Sequence, residues 1–338
     1  MSNSKFIIQN SKFKNIRAYR VGWLLPFVDF LILYPILLVM KRRTTTGIEL
    51  RFHGDRKQVE KDIRHGAFFM TNHRDICMDA IWLTFLLRVR YFIRPYVGIG
   101  NNLFGKWWIE HVVRFMRAFV VIRNGGFRQQ VENATTLSLY MRHLRKRHKS
   151  IWLAQREGRA KDGNDLTQPG VLKMLTIDAE DFFESVKELN ICPVSISYEY
   201  DPCDYLKARE MQLKRDNPMW KKSRKDDLVS MSVGIKGQKG RIVYRLTPSI
   251  NHDIDAALAK NPALRELSRN EQIQFVCQII DQHIHSAYEI YPRDKEFDEY
   301  IESRLQLIHL SKKDEPFLRE KLYEMYDNPV KNYHAAIK

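Results

Sequence analysis

The sequence has few cysteines and none of the cysteine spacings that metal sites and disulfide frameworks use. Its four cysteines form no Cys-x-x-Cys pair, and none lies near histidines at metal-ligand spacing. A zinc site or a disulfide framework is therefore not expected, and a reducing compartment is the simplest interpretation. We predict no metal and no resident cofactor, and we interpret Cys77 as a small buried residue without a catalytic role.

Acidic residues are scarce relative to basic ones. Asp and Glu number 40 against 56 Lys and Arg, which gives a net charge of +16 over 338 residues. Such a surplus favours anionic partners: nucleic acid, anionic lipid, phosphate-bearing substrates or an acidic carrier protein. Charge alone does not choose among them. The 44% hydrophobic content excludes a disordered chain, and the length allows one large domain or two small ones.

The chain also lacks an uninterrupted apolar run suited to a straight membrane-spanning helix. Residues 21–40 are long enough to cross a bilayer, but they contain Asp29, Pro26 and Pro35. Cations flank the segment on both sides, and no small-residue cleavage site follows, so a secretory signal is not expected. We predict that it dips into one leaflet or lies in the interface, anchored by Trp23. A helix packed on the protein's own core is the alternative.

Short apolar runs alternate with longer amphipathic segments from about residue 61 to 200. This alternation predicts an α/β fold with a mixed central sheet flanked by helices. Strands are predicted at 67–71, 92–97, 118–122, 150–154, 191–198 and 241–247. Helices are predicted near 76–89, 103–116, 127–148, 171–188, 264–289 and 313–326.

Three regions follow from these patterns. Residues 1–60 are a basic N-terminus with the membrane-associating apolar segment, residues 61–250 an α/β domain, and residues 251–338 a helical C-terminal extension. Within the α/β domain, residues 201–240 are predicted to be irregular and basic. The basic segment 207–225 is either a docking surface for a membrane or an acidic carrier protein, or simply a solvated face.

A histidine and two carboxylates directly follow the first predicted strand, within residues 71–79. The carboxyl end of a strand is the usual mouth of an α/β site. His73 is a candidate general base near neutral pH if a carboxylate holds its ring. We predict that Asp75 caps a helix beginning at Ile76 and that Asp79, in that helix, accepts a hydrogen bond from the imidazole. The second ring nitrogen would take a proton from a substrate hydroxyl.

Two further predicted strands end in cations and glycine turns. Arg123 closes one of them, and the strand at 150–154 is followed by a polar turn. That turn contains Glu157, Gly158, Arg159 and Lys161. Guanidinium groups suit bidentate capture of phosphate, and Glu157 is expected to orient an arginine or accept from a substrate hydroxyl. The strand at 191–198 has an early proline and is expected to line the site without doing chemistry.

In this order, the four groups resemble the conserved blocks of the glycerolipid acyltransferase superfamily, which includes glycerol-3-phosphate and 1-acylglycerol-3-phosphate acyltransferases. The matching positions are Asn72, His73 and Asp79, then Arg123, then Glu157, Gly158, Arg159, Pro169, Gly170 and Lys173, and finally Cys192, Pro193 and Val194. The resemblance covers roughly residues 65–200. In one departure, Asp79 lies six positions after His73, whereas the family pattern places it five after. Either the segment entering the helix bulges, or Asp75 orients the imidazole instead.

The resemblance implies a membrane-associated O-acyltransferase of phospholipid biosynthesis, bound to the cytoplasmic face of a membrane as a peripheral or monotopic protein. A fatty acyl group would pass from acyl-CoA or acyl carrier protein to the hydroxyl of an anionic, lysophosphatidate-like lipid. His73 would be the general base, oriented by Asp79 or Asp75. The acceptor's anionic group would be held by Arg123, Arg159 and Lys161, with Glu157, Gly158 and Lys173 in the same site.

Other functions stay open at this stage. The acceptor could be a different lipid, such as an amino-acid lipid, or the chain could be an inactive scaffold with the acyltransferase fold. A non-enzymatic basic protein that binds nucleic acid or membrane is the rival class, although no nucleic-acid-binding motif is present and we expect no nucleic-acid partner. A protein kinase is excluded, because Ala80 stands where the catalytic loop needs asparagine and no Asp-Phe-Gly follows.

Overall fold

The computed structural model describes residues 27, 29–101, 111, 113–114, 117–122, 126–308 and 313–338. Its strands form one sheet in the order β1-β7-β6-β2-β5-β3-β4. The strands are β1 Gly47–Phe52, β2 Phe68–Thr71, β3 Tyr96–Gly100, β4 Ala118–Val121, β5 Ile151–Ala154, β6 Ile191–Tyr198 and β7 Arg241–Leu246. Neighbouring strands are parallel except β6 and β7, so the sheet is mixed. The predicted α/β class with a mixed central sheet is confirmed.

The helices cover both faces of this sheet and one end of the molecule. They are α1 Tyr34–Thr44, α2 Arg56–Arg64, α3 Met78–Tyr91, α4 Phe127–Lys146, α5 Pro169–Leu175, α6 Phe182–Leu189, α7 Asp204–Asp216, α8 Arg224–Lys236, α9 Asn251–Lys260, α10 Arg269–Ser286, α11 Lys295–Gln306 and α12 Glu315–Ala336. A short π-helical turn, Asp29–Leu33, leads into α1.

The central strand β2 is buried on both faces, which is why its sequence reads as a continuous apolar run. Its side chains alternate between two cores. Phe68 and Met70 pack with residues of α4, α5, α6 and α10, whereas Phe69 packs with residues of α1, α2 and α3. A third cluster joins α7 to α11 and α12 at the C-terminal end.

Two sequence predictions about helices are wrong. Residues 201–240 are not irregular, because they form α7 and α8. Lys207 and Glu210 of α7 are buried among polar partners, so the inward face of this helix has no apolar pattern to read. The helix expected at 171–188 is divided into α5 and α6, and the side chain of Asp181 caps α6 by accepting from the Glu184 amide.

The strand β1 was not predicted, and it lies inside the region 1–60. It pairs in parallel with β7, so the sheet begins before the boundary expected at residue 61. The helix expected at 103–116 falls almost entirely outside the described residues, as do Trp23 and Pro26 of the apolar segment.

Asp29 of the apolar segment is buried between two arginines. One of its carboxylate oxygens lies 2.5 Å from Nη1 of Arg94, and the other lies 3.6 Å from Nε of Arg88. Downstream of it, α1 leaves several large apolar side chains exposed, including Ile36, Leu38 and Val39. No helix within the described residues is long and apolar enough to cross a membrane.

Candidate active site

The carboxyl ends of β2 and β5 lie side by side at one edge of the sheet, and their following loops are joined by backbone hydrogen bonds. The amide of Gln155 donates to the Thr71 carbonyl at 2.8 Å, and the amide of Ala160 donates to the His73 carbonyl at 3.3 Å. The loop that carries His73 and the loop that carries Arg159 are therefore neighbours, although about eighty residues separate them in the sequence.

His73 and Asp79 form a direct hydrogen bond. The Nδ1 atom of His73 lies 2.9 Å from Oδ2 of Asp79, and the Asp79 side chain is fully buried while that of His73 is 13% exposed. The same Oδ2 accepts the backbone amides of Arg74 at 2.7 Å and Asp75 at 3.0 Å. Because an ionised carboxylate only accepts, the imidazole donates from Nδ1, and its Nε2 then carries the lone pair.

Asp75 does not contact His73 with its carboxylate. Its Oδ1 accepts the amides of Cys77 at 2.9 Å and Met78 at 2.8 Å, so it satisfies donors at the start of α3. The helix begins at Met78, two residues later than predicted, and its N-cap residue is Cys77, so the prediction that Asp75 is the N-cap is wrong. Burial, and then the nearby Asp79, raise the pKa of Asp75.

Asn72 fixes the loop to the neighbouring strand β6. Its side-chain amide donates to the Ile196 carbonyl at 2.9 Å and accepts the Ile196 amide at 2.7 Å, which mimics one more rung of the sheet. Arg74 pairs with the buried Asp165 at 3.0 Å. Lys207 donates to the Arg74 carbonyl at 3.0 Å. These contacts hold the backbone on either side of His73 without touching its ring.

Arg159 is a buried cation with spare hydrogen-bonding capacity. It follows Gly158, whose φ of +70° lies in the left-handed region that favours glycine. Burial opposes the charge, but Cys203, Asp201 and Asp75 outweigh it and raise the pKa of Arg159, so the side chain stays a cation. Its Nη1 is buried and has no hydrogen-bond partner among the described residues. Such a group in a cavity wall suits an anionic ligand.

The other residues of this turn differ in their surroundings. Lys161 is paired with Glu210 of α7, and burial lowers its pKa even though the pair works in the opposite direction. Glu157 is exposed, and its amide donates to Oε1 of Gln168 at 2.7 Å. Lys173 lies on an exposed face of α5.

One cavity of about 1300 Å³ brings these groups together. Its wall contains His73, Glu157, Gly158, Arg159, Lys161 and Lys173. Asp75 and Asp79 lie behind this wall and support it. Arg123 falls outside the described residues, and its neighbour Ile122 lines the cavity.

Most of the remaining wall is apolar and comes from distant parts of the chain. The wall includes Leu33, Ile36 and Leu37 from the N-terminal segment and Met231 and Ile235 of α8. The sequence does not predict the contribution of α8, because its pattern indicates an irregular segment at 201–240. Nor does it predict the contributions of Glu210 and Tyr198, whose importance depends on pairings across the fold that no local pattern signals.

Within the described residues, no cluster of three or more His, Cys, Asp or Glu side chains is arranged to hold a metal ion. No protein-family model matches the chain, and no curated protein matches it either.

Proposed function

We propose that this protein is a membrane-associated O-acyltransferase that moves a fatty acyl group from a thioester to the hydroxyl of an anionic lipid precursor. The thioester is acyl-CoA or acyl carrier protein, and the acceptor is lysophosphatidate-like. The observation that carries the proposal is the joint presence, in one cavity, of the Asp79-bound imidazole of His73 and the buried, incompletely paired guanidinium of Arg159. The extensive apolar wall of that cavity supplies the environment that an acyl chain needs.

In the proposed reaction, Nε2 of His73 takes the proton of the acceptor hydroxyl as its oxygen attacks the thioester carbonyl. The new C–O bond forms, the tetrahedral intermediate collapses, and the C–S bond breaks. The leaving thiolate then receives the proton from the imidazolium, so atoms and charges balance. Asp79 stabilises the imidazolium while it exists.

No covalent acyl-enzyme is required. Cys77 also lines the cavity, but burial raises its pKa to about 12, so it is a thiol at neutral pH and a poor nucleophile. The substrate's own oxygen is therefore the nucleophile in this proposal.

The acceptor's anionic group is assigned to the cationic side of the cavity. Arg159 offers its buried Nη1, and Lys161 and Lys173 add positive charge from the same wall. An anion bound there would sit next to the loop that carries His73, because the Ala160 amide is bonded to the His73 carbonyl. This closeness would hold the hydroxyl of a small phosphate ester near the base.

Association with a membrane is supported by apolar side chains that are both exposed and part of the cavity wall. They come from three separate helices: Ile36 of α1, Ile81 of α3, and Phe127 and Val131 of α4. Phe127 is 85% exposed. A bilayer surface would cover these side chains and allow an acyl chain to pass between the lipid and the cavity.

An acyl-transfer assay tests the proposal. Purified protein is mixed with palmitoyl-CoA and one acceptor at a time: lysophosphatidate, glycerol-3-phosphate, an amino-acid lipid or the neutral monoacylglycerol. Thiol release and lipid mass spectrometry are followed together. We expect acylation of an anionic acceptor, poor use of monoacylglycerol, and a loss of about 10²-fold or more in H73A. Equal thiol release by H73A would contradict the proposed base.

Lipid mass spectrometry of cells with and without the chain extends this test to unknown acceptors. Cells carrying H73A serve as the matched control. An unchanged lipid profile in all three would count against an acyltransferase, and the same outcome combined with salt-sensitive nucleic-acid binding would favour the non-enzymatic alternative.

A further inference from the structure

The strand β6 reaches further along the sheet than its neighbour β2. Thr71, the last residue of β2, pairs with Val194, and β6 continues to Tyr198. The extra residues of β6 run beside the loop that carries His73. Val194, Ile196 and Tyr198 share one face of the strand, and this face packs against α3. The ring of Tyr198 is therefore brought to the first turn of α3, where Asp79 lies.

The hydroxyl of Tyr198 donates to Oδ1 of Asp79 at 3.0 Å. The other oxygen, Oδ2, is engaged by the imidazole of His73 and by the amides of Arg74 and Asp75. The hydrogen bond from Tyr198 is thus the only one that the structure gives to Oδ1 within the described residues. Burial first, and then neighbouring groups that include Asp79, raise the pKa of Tyr198 well above its ordinary value, so the hydroxyl remains a donor.

We infer that Tyr198 is a positioning residue for His73 and acts through Asp79 in the acyl transfer proposed above. Its hydroxyl helps to fix the rotation of the buried carboxylate and stabilises the negative charge of that carboxylate. Without that donor, the carboxylate would be held only through Oδ2, and Oδ1 would be left buried and unsatisfied. It would also attract the proton of the imidazolium more strongly.

The charged side chains around Asp79 are bonded to other groups, so they do not hold its Oδ1 as the Tyr198 hydroxyl does. The Arg74 side chain is directed to Asp165, 3.0 Å away, and the Asp75 carboxylate is bonded to amides of α3. The Lys207 ammonium binds Asp201 and the Arg74 carbonyl. Within the described residues, no Lys or Arg makes an ion pair with Asp79, and its contact with a titratable cationic side chain is the one with His73.

Tyr244 on the adjacent strand β7 provides a matched control. Its hydroxyl is buried in the same core, interacts with the Tyr198 hydroxyl, and donates to the main-chain carbonyl of Asp79 at 3.1 Å, and not to the carboxylate. Y198F and Y244F therefore remove the same atom from neighbouring sites. Only Y198F removes a donor from the group that holds His73.

The experiment combines kinetics with a readout that does not need activity. We expect Y198F to lower kcat roughly tenfold with KM unchanged, and to move the acid limb of the pH–rate profile to higher pH. Y244F should have a much smaller effect on both, because the hydrogen bond from Tyr198 to Asp79 remains. In spectra of protein with isotope-labelled histidine, the midpoint of the His73 titration, assigned with H73Q, should rise clearly more in Y198F than in Y244F.

A double-mutant cycle tests whether Tyr198 acts on His73 through Asp79. On a D79N background, Y198F should no longer move the His73 midpoint, because the carboxylate that transmits its effect is gone. A shift that persists on that background would overturn the inference, as would equal midpoints in wild type and Y198F. Absence of acyl transfer by the wild type would count against the proposed function, whereas the titration would still decide whether Tyr198 acts on His73 through Asp79.

Discussion

The Asp79 carboxylate lies 2.9 Å from Nδ1 of His73, although the two residues are six positions apart, one more than in the acyltransferase pattern. On a regular helix the extra residue would rotate the carboxylate by about 100°. However, α3 begins only at Met78, so the extra residue belongs to the loop. The carboxylate turns back and accepts two amides of that loop. The irregular spacing is therefore compatible with a hydrogen-bonded His–Asp pair.

The two aspartates should respond differently to removal of their charge. We expect D79N to lose about 10²-fold or more in kcat/KM, because the asparagine side chain cannot stabilise the imidazolium as a carboxylate does. D75N should keep most of the activity, since the Asp75 carboxylate contacts amides of α3 and not the ring. The assay is acyl transfer with H73A as the reference. A nearly inactive D75N beside an active D79N would reverse the two roles.

Ionisation of the Asp75 carboxyl should lower the stability of the folded protein, so the effect of this residue should depend on pH. Its pKa is raised in the folded protein above the ordinary value of 3.8, chiefly by burial, so its ionisation opposes folding. This destabilisation is absent at pH values below the pKa of Asp75 in the unfolded protein. It grows as the pH rises to the pKa of Asp75 in the folded protein and is complete above that value. The Oδ1 of an asparagine can still accept the Cys77 and Met78 amides. D75N should therefore raise Tm near pH 7 and have a smaller effect near pH 3.

Thermal unfolding of D75N at both pH values checks this prediction. D55N is the control, because Asp55 is an exposed aspartate that also caps a helix, through the Lys57 amide. A Tm gain in D75N that is equal at both pH values would mean that the charge is not the cause.

Arg159 should select for an anionic acceptor. We expect R159Q to raise the KM for the phosphate-bearing acceptor by about 10- to 100-fold, because one charge-assisted contact is lost, with little change for palmitoyl-CoA. R159K should recover part of the loss. R145Q removes another partly buried arginine, on α4 and outside the cavity wall, and controls for general effects on packing. An equal rise in KM for both substrates would argue against a specific anion site.

The buried ion pair of Asp29 and Arg94 should contribute to the free energy of unfolding. Removing the carboxylate eliminates the 2.5 Å ion pair with the Arg94 guanidinium, which is only 6% exposed. We expect D29N to lower the free energy of unfolding by about 3–5 kcal/mol. The apolar double variant D29L/R94M should recover most of that loss. Denaturant unfolding measures both, and a D29N protein as stable as wild type would show that the pair is dispensable.

Vesicle flotation tests the proposed membrane-binding surface. We expect deletion of residues 1–43 to abolish binding to vesicles that contain anionic lipid, and I36S/F127S to weaken it, because both changes remove exposed apolar area. L267S changes an exposed leucine that does not line the cavity and should bind like wild type. Unchanged binding of the deletion variant would remove the N-terminal segment from this role.

The predictions made from sequence succeeded where a local pattern carries the information. Apolar runs located β2, β5 and β6, and the histidine and carboxylates that follow β2 marked the edge of the sheet where the cavity lies. They failed in residues 201–240, where α7 buries charged side chains against charged partners. Lys207 shows the reason. Its ammonium is buried beside Asp201 and the Arg74 carbonyl, so a charged residue in this segment does not indicate a solvent-exposed position.

The sequence by itself determined the alternation of strands and helices and the polar residues that end each strand, because both depend on neighbours along the chain. Only the tertiary structure decided that β2 lies between β5 and β6, and this strand order places His73 beside Arg159 and Tyr198. Adjacency in a sheet is set by packing between distant segments, and so are the burial and pairing of charges. No pattern within one segment encodes these relationships.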